Sequence, residues 1–223
     1  MKVLLILAHP EPQSMNGALF TTAIESLQAA GHEVKTSNLY AMGFDPISDR
    51  RNFTKVQNAA FFKQQLEELH ATETGSFADD IEAEIQKVAW CDLMIWQFPL
   101  WWFSIPSILK GWVDRVFAMG RAYGPGGRVY EQGLFKGKKA LLSLTTGGAE
   151  EAYFTDGMHG DIHNVLKHIH RGMLVFTGFS VLRPHIIYGP VRLTPEQRKA
   201  ALAKWASRLQ EVFEEAPVEV GIY

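Results

Sequence analysis

Short apolar runs recur along this chain, separated by segments whose apolar positions fall three and four residues apart. Residues 2–8 (KVLLILA), 93–98 (LMIWQF) and 138–144 (KKALLSL) are almost continuously apolar, the pattern of strands buried on both faces. Residues 32–39 (HEVKTSNL) alternate and predict an edge strand, and 180–187 (SVLRPHII) predict a fifth strand that Pro184 confines to an edge. Helical spacing covers 14–30, with Ser14 as cap and Gly31 as stop. It also predicts helices over 53–70, 77–90, 106–117, 162–176 and 194–214, with Ser104 or Ser107 capping the one at 106. Strands alternating with helices imply an α/β doubly wound parallel sheet, and five strands suggest the flavodoxin-like order 2-1-3-4-5.

In that order the ligand crevice lies beside strand 1, at the carboxyl ends of the strands. Three loops meet there: 9–17, 99–103 and 145–148. The first leads into the Ser14-capped helix, whose free N–H groups suit a phosphate. The second, Pro99, Leu100, Trp101, Trp102 and Phe103, follows a buried strand with three aromatics at once. The third, Thr145, Thr146, Gly147 and Gly148, allows close approach of backbone to a ligand. Phosphate contacts, a flat apolar platform and a polar backbone edge together describe a flavin site. The chain lacks the G-x-G-x-x-G of a dinucleotide fold, which argues against a nicotinamide Rossmann domain.

Composition narrows the alternatives. With 22 basic and 24 acidic residues the formal charge is -2, so nothing drives nucleic-acid binding. The single cysteine, Cys91, excludes an internal disulfide framework and a cysteine zinc site. His159, Asp161 and His163 lie close in sequence but lack a third-ligand pattern, so no metal site is expected. No run approaches the roughly 18 apolar residues of a membrane span, and the expected compartment is cytoplasmic. Length suits one domain over 1–223, with a short C-terminal arm from about 215. His168 and His170 fall on what reads as a polar helix face. The glycine- and aromatic-rich stretch 121–137 is a long surface loop, the kind more often functional than decorative.

The stretches LAHPEPQSMN, LYAMGFDPI, QFPLWWFSIPSILKGWVDRVF, LSLTTGG, YFTDGMHGD and TGFSV, in that order, strongly resemble the quinone-reducing NAD(P)H dehydrogenase family, DT-diaphorase and its relatives. The similarity runs from Lys2 to about Leu209. It implies a flavodoxin-like homodimer with its site at the subunit interface. It further implies noncovalent FAD (FMN being the alternative), NADH or NADPH as hydride donor, and two-electron quinone reduction in ping-pong fashion. Carried over, His9, Ser14, Met15 and Asn16 match the first flavin segment, Met15 standing where relatives often have an aromatic. Pro99, Leu100, Trp101, Trp102 and Phe103 match the segment around the isoalloxazine, Trp101 replacing a more usual polar residue. Thr145, Thr146, Gly147 and Gly148 match the segment at the flavin's polar edge. Arg198 matches the basic residue near the adenosine end. Tyr153 and His159 match the proton-relay pair. Tyr123 and Phe176 match walls of the quinone pocket supplied by the other subunit, with Trp102 and Phe103 facing them. A second pocket tyrosine falls near Pro125, in a loop one residue longer here. Two alternatives share the fold: a nitro or azo reductase, and a flavin-binding ancillary subunit of a potassium-efflux system.

Overall fold

The computed structural model describes residues 1–222. Six parallel strands form one sheet: β1 (Lys2–Leu7), β2 (Glu33–Asn38), β3 (Leu93–Pro99), β4 (Lys139–Thr146), β5 (Ser180–Val181) and β6 (His185–Tyr188). The order is β2-β1-β3-β4-β5, and β6 also pairs with β4. The alternation along β1 explains the unbroken apolar runs. Val3 and Leu5 pack on one layer with α1 (Met15–Ala29) and α6 (Pro195–Gln210), while Leu4 and Ile6 pack on the other. That second layer holds α3 (Asp79–Trp90), α4 (Ser107–Val116) and α5 (Ile162–Ile169). Between 53 and the start of α3 lies α2 (Gln64–Thr74). The fold is therefore the flavodoxin-like one that the pattern implied, in the same strand order.

The single strand expected at 180–187 is two. β5 pairs Ala140 with Val181, whereas β6 pairs Ser143 with His185, so the edge carries one extra residue between the two registers. Pro184, with no N–H, sits in that bulge. Residues 53–63, expected to be helical, are not. There the Glu67 carboxylate accepts the backbone N–H groups of Gln57 and Asn58 at 2.6 and 2.9 Å. The Asn58 side chain accepts those of Ala60 and Phe61, both at 3.0 Å. Side-chain acceptors have taken the donors a helix would use. The helix expected over 162–176 is α5 followed by a π-turn, His170–Val175. Neither Ser104 nor Ser107 caps α4; Pro106 occupies that position without a side-chain bond. Ser104 Oγ instead pairs with His168 Nε2 at 3.0 Å. His170 lies not on a polar face but buried in the second layer, 4% exposed.

One buried carboxylate ties the second layer together. Glu84 accepts from Ser37 Oγ at 2.7 Å, Trp112 Nε1 at 2.8 Å and Lys87 Nζ at 2.6 Å. Trp112 packs edge-on against Trp96 of β3, so α3, α4, β2 and β3 meet at this group. Beyond α6 the chain docks as an arm. Lys139 Nζ donates to the carbonyls of Phe213 and Glu215, and Val218 N–H donates to Val181 O at 2.8 Å.

Burial pushes the imidazoles of His170 and His185 down to about 4, from an ordinary 6.5. The unfolded chain therefore takes up protons first, and stability falls as pH drops from near 6.5 towards 4. Each histidine contributes a loss of about 2 kcal/mol between pH 7 and about pH 5. In urea unfolding, His170→Gln is expected to flatten the pH slope by that amount. An unchanged slope would show that the ring is not buried in its neutral form.

Candidate functional site

The strand register brings Leu7, Gln97, Thr145 and Tyr188 to one edge of the sheet, and the loops that follow them converge. They are stitched just past the strands. Ala8 N–H donates to Gln97 O, Leu100 N–H to Thr145 O, and Gly189 N–H to Thr146 O, at 2.8 to 3.0 Å. Beneath them runs a buried polar relay: Gln97 Nε2 donates to Asn16 Oδ1 at 2.8 Å, and Asn16 Nδ2 donates to Thr145 Oγ1 at 2.9 Å. All three residues are buried, so the first loop is fixed to the ends of β3 and β4 by hydrogen bonds shielded from water. Asn16 acts here as a brace.

At the start of α1, Ser14 Oγ accepts the N–H of Gly17 at 3.1 Å, leaving the N–H groups of Met15 and Asn16 without helical partners. Gly17 is required, because a Cβ there would lie 2.0 Å from the Pro12 carbonyl oxygen. His9 Nδ1 lies 3.0 Å from the N–H and 3.1 Å from the carbonyl oxygen of Glu11, which fixes the ring against the turn. The loop therefore presents donors suited to an anion.

The aromatic loop is a two-residue turn. Trp101 and Ser104 exchange backbone hydrogen bonds at 3.1 and 3.0 Å, and Trp102 and Phe103 between them have φ of 52° and 57°. Such turns normally select Asn and Gly, because the left-handed region costs other residues about 1–2 kcal/mol each. Trp102 is also 95% exposed. Two aromatics held in strained backbone, with one fully in solvent, form a prepared platform. Phe154 and Met158, next in sequence to Tyr153 and His159, are also exposed.

The proton-relay pair expected from the sequence is assembled. Tyr153 is buried and packs on His159 with ring centroids 5.0 Å apart, and His159 lies edge-on to Phe103 at 5.2 Å. Gly148 makes room for them, since a Cβ there would stand 3.1 Å from the Tyr153 ring. Tyr188, unforeseen in the sequence, backs Tyr153 at 5.7 Å. Nothing in the alternating run 185–188 marks it; only the register with Thr146 does. His9 and Trp101 close the other side, 6.3 Å apart.

Tyr123 and Phe176 pack together at 5.7 Å, with Tyr130 on Phe176 at 5.5 Å. Tyr123 and Phe176 line a separate concavity of about 490 Å³ with Gln65, Lys110 and His168, containing none of the crevice residues. Arg198 stands exposed on α6, whereas Arg192 Nη1 donates to Gly147 O at 3.0 Å and braces the third loop.

The sequence profile described as flavodoxin-like fold matches residues 1–212. The chain is 44% identical over 218 residues to ribosyldihydronicotinamide dehydrogenase [quinone] of Pongo abelii, covering 97% of this chain and 94% of that protein. It is also 44% identical to NAD(P)H dehydrogenase [quinone] 1 of Cavia porcellus, covering 97% and 79%. A crystal structure of a candidate quinone reductase from Klebsiella pneumoniae superposes with a TM-score of 0.93 at 43% identity, covering 98% of this chain and 87% of that one.

The turn strain is open to measurement. Trp102→Gly loses no buried contact and relieves one left-handed residue, so it is expected to raise the unfolding free energy by about 0.5–1 kcal/mol after the entropy of the added glycine is counted. A drop in stability on denaturant unfolding would mean that the loop is not strained.

Proposed function

The chain belongs to the quinone-reducing NAD(P)H dehydrogenase family and is an oxidoreductase, and on that footing we propose that it is a flavin-dependent reductase passing two electrons from NADH or NADPH to quinones. The observation that carries the reading is the convergence of the three loops. Anion donors at α1, a strained aromatic platform at 101–103 and the cleared space at Gly148 lie around one crevice. These features fit a flavin. When bound, it supplies two-electron transfer between a nicotinamide donor and a quinone that use the same face in turn.

The chain's own groups do the rest. Met15 and Asn16 N–H groups and the His9 imidazole hold the phosphate chain of FAD, and Arg198 serves its adenosine end. The larger FAD, rather than FMN, follows from the family resemblance. Trp101, Trp102 and Phe103, with Pro99 and Leu100, orient the ring system. The hydroxyls and backbone of Thr145, Thr146, Gly147 and Gly148 meet its polar edge. Tyr153 and His159 hold and move the proton that must reach the substrate oxygen as electrons arrive; their rings pack together, and Tyr153 is largely buried. The exposed aromatics of the platform call for a cover. A second copy would supply one with Tyr123 and Phe176, making the working unit a homodimer.

Purified protein is expected to be yellow, to bleach anaerobically on addition of NADH or NADPH, and to regain colour on addition of a quinone. A protein that takes up no flavin would overturn the proposal. Tyr153→Phe and His159→Gln are each expected to lower kcat about 100-fold, within the range for general acid–base groups, while keeping the flavin. Unchanged rapid-mixing rates of quinone reduction in both variants would remove the pair from the mechanism.

A further inference from the structure

A cavity of about 610 Å³ lies outside the crevice, along the unpaired side of β6 between α5 and α6. Its length comes from consecutive residues of the edge, Arg183 to Tyr188, which an extended chain spreads over roughly 16 Å. The floor is apolar: Pro184, Ile186 and Ile187, with Ile162 and Ala201 from the flanking helices. The charges are unevenly placed. Arg208 is neutralised by Glu215, at 2.7 Å. Arg183 and Lys204 line the same cavity without a carboxylate partner among the described residues, and both are exposed. Glu150 and His163 line it beside Tyr188.

His185 forms part of the wall. Its side chain is nine-tenths buried and makes no hydrogen bond among the described residues, with Nε2 closed off from solvent as well as from partners. The ring is held by stacking on Trp205 at 4.3 Å. Burial, and after it the charges of Arg208 and Lys204, keep this imidazole neutral. The cavity's volume lies in the range of small-molecule sites.

We propose that this groove binds an amphiphilic monocarboxylate, its carboxylate between Arg183 and Lys204 and its hydrocarbon body along Pro184, Ile186 and Ile187. A medium-length chain matches the run of the edge. Arg183 and Lys204 give the head group charge-assisted hydrogen bonds, and the apolar floor gives the tail its burial. The occupant would also touch Tyr188, which packs on Tyr153, so the groove borders the crevice through one aromatic contact.

Isothermal titration of the protein as purified with decanoate, below its micelle concentration, tests this. Saturable one-to-one binding is expected, weakened at least about tenfold in R183Q/K204Q. Decan-1-ol, with the same tail and no charge, is expected to bind at least about tenfold more weakly than decanoate to the native protein. Both substituted side chains are exposed, so the double variant should fold, and an unchanged visible spectrum and thermal midpoint confirm it. Absence of saturable decanoate binding, equal binding by the double variant, or equal binding of the alcohol would each overturn the site.

Discussion

The relay from Gln97 through Asn16 to Thr145 is the constraint on which the rest of the crevice depends. It joins the carboxyl ends of β3 and β4 to the start of α1 through two hydrogen bonds of 2.8 and 2.9 Å in a dry environment. A buried amide left without its partner costs about 1–3 kcal/mol, so the three elements hold one relative position. Everything that meets a ligand is attached just beyond this brace: the donors of the first loop, the aromatic turn after Pro99, and the Thr-Gly edge after β4. Rigid strands beneath and loops above give precise placement of loop groups.

The platform built on that base is unusual in being both strained and exposed. Trp102 and Phe103 adopt left-handed backbone that side chains of their size avoid, and the turn's paired hydrogen bonds hold them there. Nothing within the chain repays this cost by burial, since Trp102 is almost entirely in solvent. The compensation has to come from what covers the aromatics, a flat ligand and a second subunit in the proposed function. Tyr123 and Phe176 fit that division, because the fold gathers them on another part of the same chain, away from His159 and Tyr153.

Much of this architecture was legible in the residue pattern, and the misses have physical reasons. Doubly buried strands announce themselves because both faces are apolar, and the order of elements followed from them. The three crevice loops were legible because Pro99, the aromatic run and the Thr-Thr-Gly-Gly ending interrupt that pattern abruptly. The helix expected over 53–63 failed because long-range acceptors, Glu67 above all, claim its backbone donors. The bulge at Arg183–Pro184 was invisible, since register is a property of the neighbouring strand. His170 has polar chemistry but falls on the buried stripe of α5, four positions beyond Leu166 and beside Ile169. Asn16 was legible as a site residue and not as a brace, because the bond that defines its part spans 129 positions.

The central claim is that the buried relay sets the geometry in which the three loops hold a flavin. Its most direct test is the affinity of flavin-stripped protein for FAD, measured by flavin fluorescence, in the native chain and in Asn16→Leu. Leucine keeps the branched shape and the number of heavy atoms of the side chain and removes both hydrogen bonds. Saturable binding by the native protein, weakened by about tenfold or more in the variant at unchanged far-ultraviolet circular dichroism, is the expected result. Equal affinity in the two proteins would contradict the account.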